Sequence, residues 1–297
     1  MTLPRPILEG RTYMITRRCA QRVFLLRADD EVNAVLEYVL LWGVEKYGIQ
    51  LIAGLAMSNH WHVVVCDPHG LLPAFLRDVH SLLARALNCK LGRMENFWDV
   101  EQVNINHLVE THDVVRKATY VLTNPVTAHL VETSREWPGF NTYDWLDGRT
   151  VTVKRPTFFF GKRSKLPLTV SAKLSAPPAF KGSFEAWATV VRAAVEAKEW
   201  AAAAERAAER SSVVGAKKGR WSSRYERSRR RRVRKKIRPF VAAKNPTARA
   251  AALRELEAFR RWHAFARAMF ALGWREVPFP PGTWAMVHIA GVSVAPS

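Results

Sequence analysis

Three cysteines in 297 residues, Cys19, Cys66 and Cys89, are too few and too far apart for a disulfide framework or a paired-cysteine zinc site. A reducing, cytoplasmic setting fits that count. Long hydrophobic runs are also missing. The longest strongly apolar stretch, Val35 to Val44, carries Glu37 and falls short of the roughly 20 residues that cross a bilayer. The first residues, MTLPRPILEGR, lack the apolar segment of a secretory leader. These absences exclude a disulfide-stapled module and a membrane-spanning helix. Acid is scarce in one half only. Residues 1–150 hold 15 Lys/Arg against 17 Asp/Glu, net −2, whereas residues 151–297 hold 31 against 9, net +22.

Apolar residues make up 48% of the chain, enough to bury a core, so the sequence is not wholly disordered. The charge step near Gly148 divides it into a region over 1–150 and a basic region over 151–297. A total charge of +20 argues for a polyanionic partner, most simply nucleic acid. Lys217 to Arg238 packs 13 Lys/Arg into 22 residues with one acid, Glu226. Within it Arg220, Arg229, Arg230, Arg231, Arg232, Arg234, Lys235 and Lys236 are candidate phosphate contacts. Trp221, Tyr225 and Phe240 could stack on unpaired bases. A solvated, disordered linker over 211–245 is the competing reading. Ser183 can cap a helix from Phe184 to about Arg210. After Pro246, Leu253, Leu256, Phe259, Trp262, Phe265 and Met269 recur at helical spacing up to Gly273, which predicts a core-facing amphipathic helix.

In the first region Tyr13–Thr16, Ile49–Met57 and Trp61–Cys66 read as strands, with Asn59 at the turn between the second and third. Helices are expected after Asp29 or Asp30, closing at Gly48, and over Leu72–Leu91 and Asp113–Leu122. The pattern predicts an α+β fold, an antiparallel sheet backed by helices.

Two small constellations carry chemistry. His60 and His62 flank Trp61 on a strand, so both imidazoles leave one face and could share a cation. The bland alternative is a pair that caps a strand or satisfies a core hydrogen bond. Tyr120 and Asn124 are one helical turn apart and face one point. The bland alternative is a core aromatic and an asparagine that closes the helix before Pro125. His69, His80, His107, His112, His129, His263 and His288 have no partner at ligand spacing and read as structural or surface residues.

Taken together, Met57-Ser58-Asn59-His60-Trp61-His62-Val63-Val64 and Tyr120-Val121-Leu122-Thr123-Asn124-Pro125-Val126 resemble the single-tyrosine HUH transposases, most closely the REP-associated tyrosine transposases. Arg11 to Arg18, Asn88, Arg93 before Phe97-Trp98, and Ala128-His129-Leu130-Val131 extend the resemblance over about residues 8–146. It implies a ferredoxin-like α+β catalytic domain that cuts and rejoins single-stranded, hairpin-forming DNA. By the same resemblance Tyr120 is the nucleophile and His60, His62 and Asn124 hold magnesium or manganese. Arg17 and Arg18 would be DNA contacts. The setting implied is the bacterial cytoplasm at the nucleoid, with a homodimer among the possible assemblies. Asp99 to Asn104 departs from the family, being acidic to neutral where basic residues are usual. Two other readings compete with the enzyme: a domesticated, non-catalytic DNA-binding protein, and a metallohydrolase that needs further carboxylate or histidine ligands.

Overall fold

The computed structural model describes residues 3–100, 103–161, 164–227 and 239–296. The first region forms, in order, β1 (Arg11–Arg18), α1 (Asp30–Tyr47), β2 (Gln50–Met57), β3 (His60–Asp67), α2 (Leu72–Leu91), β4 (Asn104–Leu108), α3 (Thr111–Leu122) and a single turn, α4 (Asn124–Thr127). The basic region adds β5 (Val151–Lys154), β6 (Thr169–Ala172), α5 (Phe184–Ala208), α6 (Ala216–Trp221), β7 (Val241–Ala242), α7 (Pro246–Ala271) and α8 (Ala285–Ala290).

The main sheet runs β2-β3-β1-β4-β7. Strand β3 pairs antiparallel with β1 and β2, and β4 pairs antiparallel with β1. Each βαβ unit, β1-α1-β2 and β3-α2-β4, thus has a strand of the other inserted between its own two, the split βαβ arrangement. This is the antiparallel, helix-backed α+β fold that the sequence predicts.

The capping chemistry is as expected. Asp29 accepts a hydrogen bond from the Val32 amide at the start of α1, and Gly48 ends that helix with φ 63°. Ser183 caps α5 through the Ala186 amide. Helices α1 and α2 pack at close range. A Cβ on Gly43 would stand 2.5 Å from Val79 Cγ2. Trp61, buried on β3, meets His80 of α2 edge-on with ring centroids 5.4 Å apart. On the other face of the sheet α3 lies against β2 and β3.

Three features differ from the sequence expectations. Strand β4 is unforeseen, because Asn104, Asn106 and His107 make it read as loop. The amphipathic helix α7 buries Leu256 and Phe259, but Leu253, Trp262 and Phe265 on the same predicted face are 44%, 40% and 61% exposed. In the stretch 211–245, read as a linker, the described residues 211–227 and 239–245 hold α6 and β7 and are tied to the first region. Val214 and Gly215 donate to the carbonyls of His129 and Leu130. Arg220 and Arg224 pair with Asp30 and Asp29. Strand β7 lies parallel to β4, adding a fifth strand.

Candidate functional site

Residue alternation along β3 puts His60 and His62 on one face and Trp61 on the other. The ladder sets Thr16 opposite His62 and Arg18 opposite His60. Thr16 Oγ1 shares a 2.7 Å hydrogen bond with His62 Nδ1. Asn59, in the β2–β3 turn, places its side-chain oxygen 2.6 Å from His60 Nδ1. Each ring is therefore held through Nδ1, and each has Nε2 left to face the site. The ring centroids are 4.7 Å apart.

Helix α3 brings the other two residues. The His62 and Tyr120 rings meet edge-on at 5.6 Å, and the Asn124 side-chain amide lies 3.5 Å from His62 Nε2. Pro125 follows Asn124 and has no N–H to give, so α3 stops at Leu122 and a new turn begins at Asn124. The break leaves the Asn124 side chain buried beside His62. Tyr120 is 45% exposed, so the phenol is reachable from solvent. The structure thus brings His60, His62, Tyr120 and Asn124 together.

Burial, reinforced by the Arg18 charge, pushes the His60 imidazole down to about 3. His62 is held well below the ordinary histidine range by burial first, then by His60, Arg18 and Lys117. Both rings are neutral at pH 7, the form in which a ring nitrogen can coordinate a metal. Two oriented Nε2 atoms and an amide, whose oxygen and nitrogen are interchangeable by a flip, suit a divalent ion that accepts nitrogen and oxygen. The donor set fits the implied metal.

The arginines expected to touch DNA fall in different places. Arg18 shares the face of the histidines, whereas Arg17 shares the face of Trp61 and acts on His80. Arg220 lies on α6, paired with Asp30. Arg229, Arg230, Arg231, Arg232, Arg234, Lys235 and Lys236 lie outside the described residues, as do Glu101 and Gln102 of the acidic loop. Beyond the end of β1 a cleft of about 650 Å³ opens between Gln21, Arg93, Trp98, Asp99, Tyr225 and Arg227. Gln21 and Arg22 both take left-handed backbone there, φ 50° and 59°.

Sequence reasoning missed three groups. Thr16 was hidden because its role depends on strand register. Lys117 stands outside both constellations, although its spacing of three from Tyr120 is a visible signal; its Nζ lies 5.6 Å from the Tyr120 ring centroid. His112, read as structural or surface, lies with Glu110 and Asp113, their donor atoms within 4.8 Å of one another. This is a grouping that could take a divalent cation. It stands at the start of α3, about 10–15 Å along the helix from Tyr120. Asp113 there also accepts from the Lys244 amide and Arg116, and Glu110 from Asn245.

No protein-family model matches the chain, and no curated protein matches it. Solved structures do. One is a REP-associated tyrosine transposase bound to a REP hairpin, 18% identical, with 48% of this chain and 83% of that chain covered and a TM-score of 0.42. Another, from Deinococcus radiodurans and assigned as a transposase, is 20% identical, with 41% and 95% covered and a TM-score of 0.30. The functional reading rests on the chain's own motif and on the geometry of its four site residues. Among the described residues no helix is long and apolar enough to cross a membrane.

Proposed function

We propose that the chain is a metal-dependent DNA transesterase of the single-tyrosine transposase type, with Tyr120 as nucleophile. The observation that carries this is the convergence of two neutral, oriented imidazoles and an amide beside a solvent-reachable phenol. His60, His62 and Asn124 would hold magnesium or manganese. When bound, such an ion supplies charge neutralisation at a phosphodiester and at its leaving oxygen.

The rest of the chemistry belongs to the chain. Tyr120 Oη forms a bond to phosphorus as the bond from phosphorus to the 3′ oxygen breaks. The electron pair leaves with that oxygen, which takes a proton to become a 3′-OH, and the phenol proton passes to solvent. The product is a 5′-phosphotyrosine. It is a phosphodiester still, so attack by another 3′-OH reverses the step and joins strands without ATP. Partial exposure lets the phenol meet a strand, and α3 against the sheet fixes its approach.

The substrate is single-stranded DNA flanking a hairpin. The basic run Arg229 to Lys236, with Arg18 and Arg220, adds salt-dependent affinity for phosphates, while Arg17 contributes less from the far face. The cleft at Gln21, Trp98 and Tyr225, past the end of β1, offers an unpaired strand a place. A non-catalytic DNA-binding protein is favoured by one observation, the +22 charge held apart from the four site residues.

A denaturing-gel adduct assay tests the proposal. Labelled hairpin oligonucleotides with single-stranded flanks are incubated with the protein and Mn²⁺ or Mg²⁺. A shifted band is expected that requires metal and disappears in Tyr120→Phe and His60→Ala. Salt-sensitive binding with no shifted band, across a hairpin library and both metals, would favour the binding protein.

A further inference from the structure

Lys117 and Tyr120 are three residues apart on α3, so their side chains leave the same face of the helix. Asn124 lies four residues beyond Tyr120. Tyr120 thus lies one turn after Lys117 on α3 and one turn before Asn124, which stands across the break at Thr123. Lys117 Nζ is 5.6 Å from the Tyr120 ring centroid, and its charge is felt at His62. The side chain is half-buried. Arg116, its neighbour, takes Asp113, while among the described residues Lys117 makes no ion pair.

A half-buried ammonium with no direct ion pair carries a desolvation cost that an arriving anion lowers. Burial first, then the Arg116 charge, push its titration down from the ordinary lysine value, with the Asp113 carboxylate pulling the other way, so the burial cost is only partly offset. The imidazoles beside it are neutral, so they offer an anion no competing charge. Phosphoryl transfer spreads negative charge over the equatorial oxygens of the transition state. A cation over the nucleophile's ring is placed to meet one of those oxygens.

Resting on the transesterase reading, we propose that Lys117 is a further catalytic residue. Its ammonium binds a non-bridging oxygen of the phosphodiester attacked by Tyr120, on the side away from Asn124. A lysine that only packs its stem and charge against the Tyr120 ring would leave the phosphate untouched, and the two roles separate by experiment.

Lys117→Met, Lys117→Arg and the exposed control Lys198→Met are compared in two measurements. In the adduct assay Lys117→Met is expected to react about 100-fold more slowly, as loss of one preorganised electrostatic partner does. Lys117→Arg is expected to recover most of the rate and Lys198→Met to match the parent. In the Tyr120→Phe background, which cannot react, Lys117→Met is expected to lower the slope of log affinity against log salt by about 0.7, the effect of one neutralised phosphate on a single strand. A normal parental adduct with an unchanged slope overturns the Lys117 role alone. Absence of any adduct from the parent overturns the transesterase and the catalytic role with it.

Discussion

Thr16 matters through the residue across the ladder from it. Its hydroxyl meets His62 Nδ1 and so leaves Nε2 to face Asn124. Such second partners of a ligating histidine are worth 10–100-fold in metal affinity. Thr16→Val keeps shape and removes the hydroxyl. It is expected to weaken Mn²⁺ binding, measured by calorimetry, by about 10-fold or more. His80 is a second case, on the other face of β3. It is buried between Trp61 and Trp98, and burial first, then Arg17, pushes its imidazole down to about 3. In the unfolded chain it titrates near 6.5, so on acidification the unfolded state takes the proton first. The stability it confers is whole above about pH 6.5 and is lost as pH falls toward 3. His60, His62 and His107 share that sign. His80→Phe is expected to flatten the fall in urea-unfolding stability between pH 6 and 4 by about 1.4 kcal/mol per pH unit. A slope equal to the parent's would show that His80 is not kept neutral by the fold.

At the scale of elements, β3 and α3 were legible and β4 and β7 were not. A strand that alternates His60, His62, Val64 with Trp61, Val63, Val65 announces two faces. The pair Tyr120 and Asn124 announces one helical face. Strand β4 carries two asparagines and a histidine in five residues, and it is a strand because β1 offers it a ladder. Strand β7 is two residues in a basic stretch, and only β4 makes it a strand. Pairing across the sheet decided both, and a local pattern does not carry that information. The same limit hid Thr16. Helix α7 shows the converse: its periodicity was visible, yet the neighbours cover only part of the apolar stripe. The packing of α1 on α2 depends on Gly43, where added atoms meet Val79 and Phe75. Gly43→Leu is expected to overpack it and cost about 1–3 kcal/mol of stability, read as a lower midpoint in thermal or urea unfolding.

For the whole molecule the separation of charge from chemistry is the main feature. The region that holds the four site residues is net −2, and the region that follows is net +22. A polyanion approaching the first would depend on the second. That dependence predicts a steep fall of DNA affinity with salt. Replacing Arg229, Arg230, Arg231 and Arg232 with Gln is expected to lower the log–log salt slope by roughly 0.7 for each single-strand phosphate that is no longer neutralised. Titrations of a fluorescent hairpin from 50 to 300 mM salt, a range set by roughly this sensitivity, would read it. An unchanged slope would remove the basic run from the DNA interface.

The central claim is that Tyr120 becomes joined to the 5′ phosphate of a cut strand. Its most direct test is to trap the adduct on a hairpin substrate, digest protein and DNA, and sequence the modified peptide by mass spectrometry. The account predicts a nucleotide phosphate on the peptide that begins at Ala118, attached at Tyr120, and carried by the DNA piece downstream of the cut. A nucleotide on any other residue, or on the upstream piece through a 3′ phosphate, would contradict it.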